Sequence, residues 1–536
     1  MEHGNFDVAI VGGGLAGSAL AITLARAGVD VAVLEKERAF TDRVRGEFLA
    51  PWAVRDLRRL DLLATLRRAG AIDLPALAGR SLKPRQVATP GGDAPLSYSH
   101  TAAQEALLSK AGAAGATVFR GAHVTAVTPE QEGLSSVVTR DPAQTVRARL
   151  IVGADGRNSL VRRTLGHEEQ VRRSDRVLAG VRLANVPGDA SFGYFVIRED
   201  VGGLASLFPQ ANGMARAYVF LYGRDQVAYR GAEGFDNFVR SLIDLGIPAK
   251  AVAGVAQAGP LAAFVADDSW VERPAAPGRA LIGDAAGISD PTWGQGMALA
   301  FHDVRVLSDW LLSEPNWDIA VDHYATARDT YFQSIITAES WLTELQLTPG
   351  DEAAARRTRV MGAWRADPRR AQGLDINGLG PALDVSESAR RWIFAEDDVP
   401  AQPGDRAAIE FLAGAVRQRD FAAIREAFTG TARMRALLPG GPREVHGSEA
   451  IGRSFEGWFG DAEEYEPITT GIDVVADRVR VSWKLRVRWA GEPFSRIIEQ
   501  QGYAKVVDGR VGMIDLLCSG FRPETSSNTA VRQPAA

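Results

Sequence analysis

Gly12, Gly14 and Gly17 stand in the spacing G-x-G-x-x-G, between an apolar run at residues 6–11 and a helix-forming stretch at 18–27. In that strand-turn-helix setting the pattern holds a dinucleotide phosphate. Gly12 permits the tight turn, Gly14 lets the backbone approach a pyrophosphate, and Gly17 brings the helix close to the sheet. Free N–H groups at the helix's positive end then face the phosphates. Glu35 ends a second apolar run, at the distance where a carboxylate accepts hydrogen bonds from a ribose. This motif alone admits NAD or FAD. Two more signatures follow apolar runs: Gly153-Ala154-Asp155-Gly156 after residues 150–152, and Gly283-Asp284 after residues 280–282. Each predicts a loop at the carboxyl end of a strand, where open α/β sheets bind ligands. An isolated Asp-Gly is usually an ordinary turn, the reading given to Asp508-Gly509.

In order and spacing these signatures resemble the class A flavoprotein monooxygenases of the para-hydroxybenzoate hydroxylase type, over residues 5–395. The resemblance implies bound FAD, with NAD(P)H as a transient co-substrate that has no Rossmann domain of its own. It places Asp155 and Gly156 near FAD and Asp284 on the ribityl chain, and it adds Leu15, Ala16, Lys36, Val124 and Gly283 to the cofactor's neighbours. Arg43 and Arg45 fall where the family has arginines beside flavin and pyridine nucleotide; a surface charge is the alternative for each. His100 is a departure from the family's Gln or Arg. It can donate one hydrogen bond but cannot fork as arginine does, and a helix-capping or surface histidine is its alternative. The loop after Asp284 assigns Pro291, Gly294, Gly296 and Met297 to the isoalloxazine, its glycines letting backbone approach a flat ring. Pro291, Asp290, Arg216 and Tyr218 are the expected groups at the flavin-substrate face. Asp290 is left between a helix cap and a group aimed at substrate.

The implied reaction is hydroxylation or epoxidation of an electron-rich aromatic or polyketide-like metabolite with O2, through a flavin C4a-hydroperoxide. Such chemistry belongs mostly to the cofactor and obliges no catalytic acid, base or metal. The chain accordingly has no H-E-x-x-H and only one cysteine, Cys518, so no metal site is expected. A second reading comes from Gly46-Glu47-Phe48-Leu49-Ala50-Pro51, which resembles a stretch in geranylgeranyl reductases and flavin halogenases. The motifs W-x-W-x-I-P and Y-x-W-x-F-P of those relatives are missing. A bifunctional oxygenase-cyclase is a third.

The fold that must position these residues is α/β: a Rossmann-type FAD-binding domain over 1–398 with an interleaved sheet at about 174–272 forming the substrate wall. Residues 298–394 read as helical, and 399–404 have linker composition. Residues 405–522 read as helices followed by antiparallel strands, with strict alternation of apolar and basic residues at 478–489. That order resembles the SnoaL-like polyketide cyclase cone, which admits a homodimer. Asp515 could serve a cyclase, but no histidine follows His446 to complete a dyad. The basic stripe reads as a solvated or interdomain face, and 523–536 as a disordered tail. Net charge is −5 over 536 residues with no basic tail, which gives no support for nucleic-acid binding. No run approaches a membrane span. One cysteine and a redox cofactor point to a cytoplasmic protein.

Overall fold

The structure is a computed structural model describing residues 2–87, 93–130, 133–166, 168–188, 191–223, 229–396, 403–475, 478–492, 495–507 and 509–523. The chain forms two compact units, Met1–Ala395 and Glu396–Ala536. Most of the expected linker, the expected tail beyond 523, and Asp508 lie outside the described residues.

In the first unit a parallel ladder runs Thr117–Arg120, Val31–Glu35, Glu2–Val11, Gln144–Gly153, Arg279–Leu281, with Ala275–Ala276 antiparallel at one edge. Its central strands are largely apolar because both faces are covered, one by the helix Leu15–Arg26 and its neighbours and the other by the antiparallel strands Val124–Pro129 and Ser135–Thr139. Val31–Glu35 is buried at every position. Parallel pairing puts all carboxyl ends on one side of the sheet. The three glycine-and-acid loops therefore converge there although they are distant in sequence.

The second sheet is mostly antiparallel, with Arg176–Ala184, Ala215–Tyr222, Gly203–Pro209 and Phe192–Arg198 adjacent. It also recruits Ala76–Ala78, in parallel, from well before the expected segment. Period-two alternation sorts its side chains. Ala179, Val181, Leu183, Ala205, Leu207, Ala217 and Val219 pack with Phe238 and Leu242 of the helix Gly234–Asp244. Leu178, Phe195, Ser206, Phe208, Tyr218 and Phe220 face the other way, into a cavity.

The second unit places helices Pro403–Gln418, Phe421–Glu426 and Ser448–Phe459 with a seven-stranded sheet. The sheet is mixed, not wholly antiparallel: Phe428–Leu438 pairs in parallel with Arg510–Cys518. On Arg478–Trp489, Val479, Val481, Trp483, Leu485 and Val487 enter a core with Phe455 and Phe459. The alternate basic residues meet acids on neighbouring strands: Arg480 with Asp473, Lys484 with Glu499, Arg486 with Glu466, and Arg488 with Glu463 and Glu464.

Candidate active site

The cavity at the carboxyl ends of the parallel strands measures about 940 Å³ and runs from the glycine turn to the second sheet. Gly12, Gly14, Leu15, Ala16, Glu35, Lys36, Arg43, Arg45, His100, Val124, Asp155, Gly156, Tyr218, Gly283, Asp284, Pro291, Gly294, Gly296 and Met297 all line it. Of the expected residues, Gly17, Asp290 and Arg216 do not.

The glycine turn suits a pyrophosphate for geometric reasons. Gly12 has φ +103°, and a Cβ there would lie 2.4 Å from the Ala154 carbonyl oxygen. A Cβ on Gly17 would lie 2.0 Å from the Gly12 oxygen, so this glycine is needed for close packing of the turn on the helix. At Gly14 the nearest atom is Gln104 Nε2 at 3.7 Å, which leaves the cavity side open. The helices Leu15–Arg26 and Gly296–Ser313 both begin at this cavity without a side-chain cap, unlike the helix at His100, whose cap is Ser99. Uncapped helix starts carry unsatisfied N–H groups and a partial positive charge. An FAD pyrophosphate fits the first and the electron-rich end of a flavin the second. Glu35 accepts from Gly13 N–H at 2.7 Å and Glu37 N–H at 2.8 Å, and burial raises its pKa. It thus shapes the turn as well as facing the cavity.

The other two signatures are bound to each other. Asp155 accepts from the Ser159 hydroxyl at 2.5 Å and the Leu160 N–H at 2.6 Å, capping the next helix. Arg162 donates to the Arg157 carbonyl at 2.6 Å and the Ala285 carbonyl at 3.1 Å, joining the Asp-Gly loop to the Gly-Asp loop. Asp303 accepts from Gly283 N–H at 2.7 Å and from the Tyr331 hydroxyl. Asp284 remains at the cavity between Arg45 at 3.3 Å and Arg157 at 3.9 Å. Arg157, Arg162 and Asp303 carried no functional expectation. The two arginines sit in or just after the second motif, which was their only signal.

Two expectations need correction. Asp290 is a cap and an ion-pair partner and does not reach the cavity: it accepts from Thr292 N–H at 2.9 Å and pairs with buried Arg176. Arg216 is fully buried, with its Nε 2.7 Å from Glu47 and a second bond to Asp42. It is a positioning residue beneath the segment that carries Arg43 and Arg45. Glu47 is the center of that buried group, accepting also from Gln210 and from His100 N–H at 2.7 Å. In the second unit, Asp515 pairs with Arg435 and Arg478, and His446 lies 3.0 Å from Glu444, so neither forms a cyclase dyad. Tyr218 lines the cavity and donates to the Arg45 carbonyl. His100 Nδ1 lies 3.0 Å from the Gly46 carbonyl, and burial lowers its pKa. Arg43 pairs with Glu37 at 2.7 Å, and the Met297 sulfur accepts from the Tyr98 hydroxyl at 3.1 Å.

The FAD binding domain family matches residues 5–336, and the chain belongs to that family. It is an FAD-dependent oxidoreductase. Digeranylgeranylglycerophospholipid reductase 1 of Methanococcoides burtonii is 28% identical over 302 residues, 55% of this chain and 71% of that protein. Rifampicin monooxygenase of Streptomyces venezuelae is 26% identical over 361 residues, 66% of this chain and 74% of that one. In fold the chain is similar to the solved flavin-dependent brominase Bmp2, with TM-score 0.58 and 19% identity over 73% of this chain and 98% of that one. No helix among the described residues is long and apolar enough to cross a membrane.

Proposed function

We propose that the chain is an NAD(P)H-consuming monooxygenase that inserts one oxygen atom of O2 into an electron-rich aromatic or polyketide-like substrate. The observation that carries this reading is the cavity wall. Phe195, Phe208, Phe220 and Tyr218 line the cavity together with the loop that bears Pro291, and Gln346 and Asn377 add polar side chains to the lining. A flat, polar-edged molecule suits such a wall: rings pack on the aromatics and phenolic oxygens find polar partners. Bound FAD would supply oxygen activation. The protein's part is to orient the substrate and exclude water. Gly12, Gly14 and the Leu15 helix start would hold the pyrophosphate, Asp284 the ribityl chain, and the Gly296 helix start the flavin's electron-rich end. Arg45 and Arg157, both at the cavity beside Asp284, would meet the phosphates of NAD(P)H.

The resemblance to rifampicin monooxygenase supports the reading. A second one, reduction of an isoprenoid double bond, is favoured by the archaeal reductase relative and by Gly46–Pro51, the stretch that carries Glu47. The two differ in their need for oxygen. Steady-state NADPH oxidation is expected to rise when a phenolic substrate is added in air and to stop under argon; oxidation stimulated by an isoprenoid alkene and proceeding under argon at full rate supports the reductase instead.

The C-terminal unit we infer to be a SnoaL-like cone whose interior is occupied by its own core, Trp483, Phe455 and Phe459 included. Its role in this reading is structural or dimer-forming.

A further inference from the structure

Behind the loop at 287–297 several buried polar side chains from different elements close on one another. Arg172 Nε donates to Asp268 at 2.5 Å, and Arg176 pairs with Asp290. Glu339, on the helix Trp317–Gln346, is fully buried and faces Asp268, Asp290, Arg172 and Ser289. Three carboxyls thus share two guanidinium groups, and one carboxyl lacks a counter-ion. Glu339 interacts with the Ser289 hydroxyl, but no well-formed hydrogen bond reaches either Glu339 oxygen, Ser289 Oγ, Thr292 Oγ1, Asp268 Oδ1 or Arg176 Nε. Buried polar atoms are almost always paired, with protein or with water. Water bridging these groups would satisfy them. The group lies behind the cavity wall: Ser289 and Thr292 line the cavity while their hydroxyl oxygens stay buried, and Leu342 and Gln346, three and seven residues along the helix from Glu339, line it too.

We propose that Glu339 is the inner end of a proton path that runs through the Ser289 and Thr292 hydroxyls and water into the cavity beside Pro291. Burial, with Asp290 and Asp268 as like-charged neighbours, raises the Glu339 carboxyl well above the usual range, so it holds its proton at neutral pH. The reaction needs that proton under either reading. NAD(P)H, O2, one proton and substrate give NAD(P)+, water and the oxygenated product; NAD(P)H, one proton and an alkene give NAD(P)+ and the alkane. The inference rests on the proposed flavin placement and not on which of these follows.

The test uses the full-length, FAD-loaded protein, reduced anaerobically with two equivalents of methyl viologen radical cation, which gives up electrons without releasing protons, in weakly buffered solution containing a pH indicator. Two electrons and one proton enter each FAD. Glu339→Gln is expected to slow proton uptake by about tenfold or more, formate to restore it, and Glu339→Asp to retain it. Ser289→Ala, which leaves the carboxyl in place, is expected to slow uptake as well. The infrared carbonyl band of a protonated carboxylic acid is expected in the wild type at neutral pH and missing in Glu339→Gln. Unchanged uptake in both variants, slowing that formate does not relieve, or an ionised carboxylate at Glu339 in the infrared would overturn the proposal. Flavin placement is tested separately: Gly296 has open space around its would-be Cβ, and Gly296→Val is expected to lose FAD while staying folded.

Discussion

Two glycines three residues apart, Gly14 and Gly17, separate binding from folding. A side chain at Gly14 points into open space where the pyrophosphate would lie, so Gly14→Val is expected to fold with the thermal stability of the FAD-free wild type and to purify without flavin. A stoichiometric yellow variant would contradict the placement. Gly17→Ala drives a Cβ to 2.0 Å from the Gly12 oxygen and is expected to lower the unfolding temperature of the FAD-free protein as well. Arg216 tests a different kind of dependence. Removing it as Arg216→Met leaves Glu47 buried without its cation, a loss of about 3–5 kcal/mol, read by urea unfolding; Glu47→Gln in the same chain is expected to recover part of it. These residues also mark how far the sequence could be read. The glycines were legible because their demands are local: a turn, a close approach, a helix start. Arg216 was placed toward the substrate, and Asp290 left between a cap and that face, because their ion-pair partners lie 169 and 114 residues away, and nothing near either residue announces the opposite charge waiting there. Glu47 was quoted only as part of a resemblance, although three elements meet on it.

Strands and loops were more legible than side-chain partners, because burial imposes a period that survives in the sequence. Alternation in the second sheet put one face toward a pocket, and Leu178, Ser206, Phe208, Tyr218 and Phe220 do face it. Parallel pairing of Phe428–Leu438 with Arg510–Cys518 was not legible, since both directions of pairing share the same alternation. Nor was the cluster behind the flavin loop, which joins strands Gln170–Arg172 and Asp268–Trp270 to a helix some seventy residues further on. That cluster has a pH consequence. Asp268 is pushed up to about 6, chiefly by burial, from an ordinary 3.8. Between those values the folded protein holds a proton that the unfolded chain releases, so this group's contribution to stability falls as pH rises from about 4 to 6. Asp268→Asn is expected to flatten that part of the stability curve in urea unfolding at stepped pH; a slope left unchanged by the substitution would contradict the assignment.

Each of the two compact units has a core of its own. A chain ending at Ala395 is therefore expected to fold and retain FAD with an unchanged flavin absorbance spectrum, and a flavin-free or insoluble product would show that the units depend on one another. The order of the three signatures made the FAD-binding unit legible from the sequence alone, since each signature is a short-range pattern and only their convergence needed the fold. Substrate chemistry was less legible, because the cavity wall is assembled from strands whose aromatic residues suit a packed core equally well. The most direct test of the proposed function is the mass of product formed from a panel of phenolic and polycyclic phenolic compounds, with an isoprenoid alkene included, under NADPH and ¹⁸O2. A phenolic product carrying one ¹⁸O atom is predicted. An isoprenoid product heavier by two hydrogens, formed equally well without oxygen, would contradict it.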